Sequence, residues 1–87
     1  MNRPEAVIFG KRLREARLRR GMSLAVWAGV VVDRGGRLTS NYVSDLERGL
    51  KAPTLTMILK LSRALEVSVS DLLSDFTLEV VRKLRLE

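Results

Sequence analysis

The stretch TSNYVSDLERG, residues 39–49, constrains this chain more than any other. It reads as a short helix with a polar leading edge at Thr39, Ser40 and Asn41, apolar Val43 and Leu46 three apart, and Glu47 near its far end. Gly49 then stops it. So short a helix is marginal by itself, because nucleation fixes several dihedrals for one hydrogen bond. Neighbouring elements must clamp its apolar side, which leaves the other face free to touch something else.

The rest of the chain supplies those neighbours. Pro4 suits a helix start, where its missing N–H costs nothing, and Ile8 or Phe9, Leu13 and Ala16 recur at helical spacing as far as Arg20, with Gly21 as the stop. Ser23 can cap a second helix over residues 24–31, with Trp27, Ala28 and Val31 on its buried side. DRGGR, residues 33–37, reads as a glycine-rich loop in preference to a hairpin tip. After Gly49 a turn follows in which Pro53 keeps Ala52 out of the helical region. Thr54 caps a helix whose Leu55, Ile58, Leu59, Ser62 and Leu65 share one face, expected to be core, with Leu61 beside them. Ser68 and Asp71 form a capping box for a short helix that turns Val69, Leu72 and Leu73 inward. Beyond it, Phe76, Leu78, Val80, Leu84 and Leu86 are apolar at even positions and only Val81 at odd ones. That two-residue period predicts a strand, with a sixth helix or a frayed end as the competing readings.

Composition narrows the chemistry. At 87 residues the chain is one small domain that must bury its apolar surface efficiently or recruit a second copy to finish the core. It has no cysteine and no histidine, which removes disulfides, thiol nucleophiles, the usual zinc ligand sets and Ser/His/Asp machinery together. An enzyme, a metal or another cofactor is therefore not expected. The net charge of +6 points to a polyanionic partner. Its distribution says more: residues 1–20 hold seven basic groups, Arg3, Lys11, Arg12, Arg14, Arg17, Arg19 and Arg20, against Glu5 and Glu15. The longest run without a polar side chain, residues 24–32, is nine residues, and a bilayer needs about 20. The first residues lack the pattern of a signal peptide. The expected location is the cytoplasm, with no membrane partner.

Three segments carry a family resemblance: GKRLREARLRRGMS (10–23), YVSDLERGLKAPTL (42–55) and LSRALEVSVSDLL (61–73). In this order they resemble the XRE family of helix-turn-helix regulators, which includes the lambda-type repressors and Cro. The resemblance implies an all-α, compact five-helix domain in which the helix over residues 39–48 enters the DNA major groove. By that resemblance Ser40, Asn41 and Asp45 face base edges, where Asn can bind adenine bidentately and Asp can accept from the cytosine amino group. Ser23 and the amides that follow it would hold a phosphate. Thr39, Arg48 and Lys51 would add backbone contacts, and Arg34 and Arg37 in the long turn are further candidates. Arg17 and Glu47 stand where the family has a structural ion pair. The chain departs from the family at Leu24, where glutamine is usual, in the apolar character of residues 24–26, and in the longer turn before residue 39.

The expected organisation is a helix-turn-helix domain at residues 1–75 and a dimerisation segment at 76–87. An isolated strand leaves backbone groups unpaired, so Phe76, Leu78, Val80, Leu84 and Leu86 are expected to meet the same segment of a second copy. The expected function is sequence-specific double-stranded DNA binding as a homodimer, repressing transcription. The alternative is an antitoxin or accessory module that uses the same fold, and the apolar residues 24–26, to bind a small protein such as a toxin.

Overall fold

The computed structural model describes residues 3–27, 40–84 and 86. Among them all regular structure is helical: α1 (Pro4–Arg19), α2 (described over residues 24–27), α3 (Ser40–Glu47), α4 (Leu55–Leu65), α5 (Val69–Leu72) and α6 (Leu78–Lys83). Helix α1 lies against α3 and α5, and α4 packs on α5. Phe9, Leu13 and Ala16 of α1 meet Trp27, Val43, Leu46, Leu61, Ala64, Leu65 and Leu72 in one buried cluster. Each large apolar side chain there contributes about 1.5–3 kcal/mol by leaving water. No helix among the described residues is long and apolar enough to cross a membrane.

Local chemistry sets the helix ends. Ser23, Thr54, Ser68 and Thr77 each accept a hydrogen bond from the backbone N–H three residues on, which satisfies one of the four donors that a helix start leaves unpaired. Helix α3 ends at Gly49, whose φ of 75° is left-handed. Gly49 N–H donates to the Leu46 carbonyl and Leu50 N–H to that of Asp45, the paired bonds of a Schellman cap.

Gly10 answers a different need. It sits inside α1, where glycine costs about 1 kcal/mol relative to alanine. A Cβ there would overlap the Leu46 carbonyl oxygen and lie 2.7 Å from that of Glu47. The backbones of α1 and α3 approach so closely that only glycine fits between them.

Two expectations change. Helix α4 buries Leu61, Ala64 and Leu65 and half-buries Met57 and Ile58, while Leu55 is 68% and Leu59 53% exposed. Seven of its eleven residues are apolar, so periodicity could not single out the face that α5 would choose. The tail is also not a strand. Thr77 caps α6 through the Val80 N–H, and Glu79 stands 3.6 Å from Lys83 one turn on, in the orientation that favours a helix. Those two local signals outweigh a two-residue period built on five side chains.

Candidate nucleic-acid interface

Helix α3 presents two faces of opposite character. Val43 and Leu46 are wholly buried. Glu47, on the same side, accepts from Arg17 at both oxygens, Nε to Oε2 at 2.6 Å and Nη2 to Oε1 at 3.0 Å. Arg17 also donates Nη1–H to the Met22 carbonyl at 2.8 Å. One guanidinium thus joins the end of α1, the turn into α2 and the end of α3. Bidentate arginine–carboxylate geometry fixes orientation as well as distance.

Asn41, Asp45 and Arg48 recur at i, i+4 and i+7, and so share the face opposite Val43 and Leu46. Asn41 and Arg48 are exposed. The Asp45 carboxylate lies between two cations, with Oδ1 accepting from Arg48 Nη2 at 3.0 Å and Oδ2 3.5 Å from Lys51 Nζ. Lys51 also stands 5.3 Å over the Tyr42 ring, within the range of a cation–π contact. The left-handed turn at Gly49 is what brings Lys51 back over the helix that precedes it.

Ser23 is exposed at the start of α2, where its Oγ accepts from Val26 N–H at 3.2 Å. Leu24 is packed partly against the core, whereas Ala25 and Val26 are exposed. Thr39, Arg34 and Arg37 lie outside the described residues, as does the Ser40 side chain. The structure therefore brings Asn41, Asp45, Arg48 and Lys51 together on one surface, with Arg17 and Glu47 beneath it.

The N-terminal basic patch is smaller than its sequence. Arg3 faces Glu5, Arg12 faces Asp75, Arg17 faces Glu47 and Arg20 faces Glu66. Lys11, Arg14 and Arg19 are exposed, with Lys11 near the Asp75 carboxylate. Arg14 shares an i, i+4, i+7 stripe with Gly10 and Arg17, the side of α1 that meets α3. Sequence reasoning missed Gly10 and Tyr42. A glycine inside an otherwise regular helical pattern was the signal for the first; the second had none, because the turn that carries Lys51 to the ring is set by the fold.

Comparison with known proteins agrees with this geometry. The helix-turn-helix family HTH_3 matches residues 13–72. Among solved structures, the restriction-modification controller protein C.AhdI from Aeromonas hydrophila is 37% identical, with a TM-score of 0.69 over 78% of this chain and 96% of that one. The clp gene regulator ClgR from C. glutamicum is 28% identical, with a TM-score of 0.70 over 94% of this chain and 95% of that one. An HTH_3 family transcriptional regulator from Vibrio cholerae shares the fold at 24% identity, with a TM-score of 0.71 over 82% of this chain and 37% of that one. No curated protein sequence matches the chain. The match covers most of the α1–α5 body, and the chain belongs to the helix-turn-helix family of XRE-like DNA-binding transcription regulators.

Proposed function

We propose that this regulator binds a specific operator in double-stranded DNA as a homodimer and represses transcription from it. Helix α3 enters the major groove and α2 lies across the backbone, with symmetry-related copies reading half-sites about one helical turn apart. The observation that carries this reading is the two-faced α3: its inner face is locked by the Arg17–Glu47 fork, and its outer face offers Asn41 beside Arg48 and Lys51.

In this reading Asn41, with Ser40, contacts base edges, while Ser23, Thr39, Arg48, Lys51 and the arginines of the long turn hold phosphates. The dimer contact falls to the tail, as a helix. Helix α6 has no buried residue, Leu78 is 64% and Leu86 55% exposed, and Val80 and Leu84 are half-buried. Phe76 packs on the chain's own core and anchors the tail. The similarity to a restriction-modification controller makes a restriction-modification gene cluster the first place to seek the operator.

The test is equilibrium binding to a selected operator and to random duplex. Asn41→Ala costs about 1–3 kcal/mol on the operator and little on random DNA, whereas Lys51→Ala weakens both alike. An unchanged operator-to-random ratio in Asn41→Ala removes base reading from α3.

A further inference from the structure

We propose that Asp45 is a specificity-determining residue of a different kind from a base reader: its carboxylate holds Arg48 and Lys51 against α3, and they reach phosphate without leaving it only where base contacts have seated the helix. The inference rests on the DNA-binding reading and names how that surface rejects the wrong DNA.

Both carboxylate oxygens are already engaged, Oδ1 by Arg48 Nη2 at 3.0 Å and Oδ2 by Lys51 Nζ at 3.5 Å. A cytosine amino group would have to share an oxygen with one of these cations, so base reading competes with the pairs. The hold on Lys51 is built into the backbone, since the Schellman bonds of Leu50 and Gly49 fold the chain back across the end of α3, and the Tyr42 ring, 5.3 Å from Nζ, gives the ammonium a second support. The Arg48 and Lys51 side chains are 64% and 54% exposed. Ion pairs this exposed are weak and yield to a competing anion, so phosphate can take the two cations.

On an arbitrary duplex, each phosphate contact by Arg48 or Lys51 breaks a pair and leaves a carboxylate beside the DNA backbone. On the operator, the contacts of Asn41 seat α3 in the one register where Arg48 and Lys51 reach phosphate while still touching Asp45, so the pairs are shared with the backbone and not broken. Asp45 therefore lowers affinity for non-cognate DNA more than for the operator, which is discrimination by penalising the competitor.

The experiment measures binding by fluorescence anisotropy across a salt series, using the full chain, a duplex recovered by selection from a random library, and a scrambled duplex of the same composition. Asp45→Asn raises affinity for the scrambled duplex about three- to ten-fold and steepens its log K against log salt by about one to two. The selected duplex gains less, so the ratio falls. Asp45→Ser, a second neutral replacement, does the same, and Asp45→Glu keeps the wild-type ratio. In the Arg48→Ala/Lys51→Ala background, Asp45→Asn has almost no effect on the scrambled duplex.

Three results overturn the proposal. Loss of affinity for the selected duplex alone makes Asp45 a direct acceptor from a base. A full gain in the background without the two cations makes it a simple repulsive charge. No change on either duplex makes the pairs irrelevant. A wild-type chain that binds neither duplex would instead remove the DNA reading itself, and that is seen before any variant is made.

Discussion

Helix α1 carries two arginine–carboxylate forks that share a chemistry and differ in depth. Arg17 and Glu47 meet with side chains 9% and 5% exposed, Arg12 and Asp75 at 17% and 42%. Both are bidentate. Five residues along α1 turn the two arginines to different sides of the helix, one toward α3 and the other toward the segment that leads into α6. A buried charge that loses its partner has no water to fall back on, whereas an exposed one is resolvated and screened by salt. The first fork therefore sets the geometry of α3, and the second is a reversible mooring for the tail.

The sharpest way to break this contrast is to remove one carboxylate at the deep site. Glu47→Ala strands the Arg17 guanidinium and costs about 3–5 kcal/mol of folding stability, read by urea denaturation. Replacing both partners, as Arg17→Met with Glu47→Leu, recovers most of that loss, because two apolar side chains leave no charge buried. A double variant as unstable as the single one would show instead that the pair's attraction is itself what holds α1 to α3.

Next in size is Gly10→Ala. Alanine is the better helix former, yet its Cβ meets the Leu46 and Glu47 carbonyl oxygens, which are backbone and cannot rotate aside. Steric overlap of this kind costs about 1–3 kcal/mol after relaxation, and α1 and α3 must separate to admit the methyl group. Thermal melting of the variant above the wild-type midpoint would mean that helix propensity wins and the approach is looser than it looks.

These two sites also mark what the sequence could and could not tell. Val43 and Leu46, the caps at Ser23, Thr54 and Ser68, and the stops at Gly21 and Gly49 were readable because each depends on neighbours a few residues away. The face of α4 was not, since Leu55 and Leu59 are as apolar as Leu61 and Leu65 and only the packing of distant helices tells them apart. Asp75 gave no sign of its partner, 63 residues away at Arg12. In the tail, alternation in Phe76, Leu78, Val80, Leu84 and Leu86 pointed one way, and Thr77 with Glu79 and Lys83 pointed the other; with no sheet among the described residues to receive a strand, the local helix signals prevailed. On the outer face of α3, the residue types were legible and their mutual engagement was not.

The shallow fork gives a smaller effect with a distinct pH signature. The hydrogen bonds from Arg12 hold the Asp75 carboxyl below the usual aspartate range. Because the folded-state pKa is the lower one, the stabilisation is fully present above the ordinary aspartate pKa and is lost as pH falls through the folded value. Asp75→Asn therefore lowers the thermal midpoint slightly at neutral pH, and its curve merges with the wild type in acid. Added salt shrinks the neutral difference, as it does for exposed charges. A difference that persists in acid would assign Asp75 a packing role that does not depend on its charge.

The smallest effect on stability, and the most informative for function, comes from removing α6 itself. No residue of α6 is buried, and its helix is absent from the main packings among the described residues. Ending the chain after Phe76 keeps both the Arg12–Asp75 fork and the Phe76 ring on the core, so the isolated body loses only the partial burial of Val80, Val81 and Leu84. Ending it after Ser74 removes both anchors and confuses loss of the tail with damage to the body. If the tail joins two copies, the chain ending at Phe76 sediments as a monomer at a concentration where the full chain is a dimer, keeps its helical circular dichroism, and loses most operator affinity because the two α3 helices are no longer held at a fixed spacing. A truncated chain that still dimerises moves the interface to α4, where Leu55 and Leu59 stand exposed one turn apart, and Leu59→Glu then separates the copies.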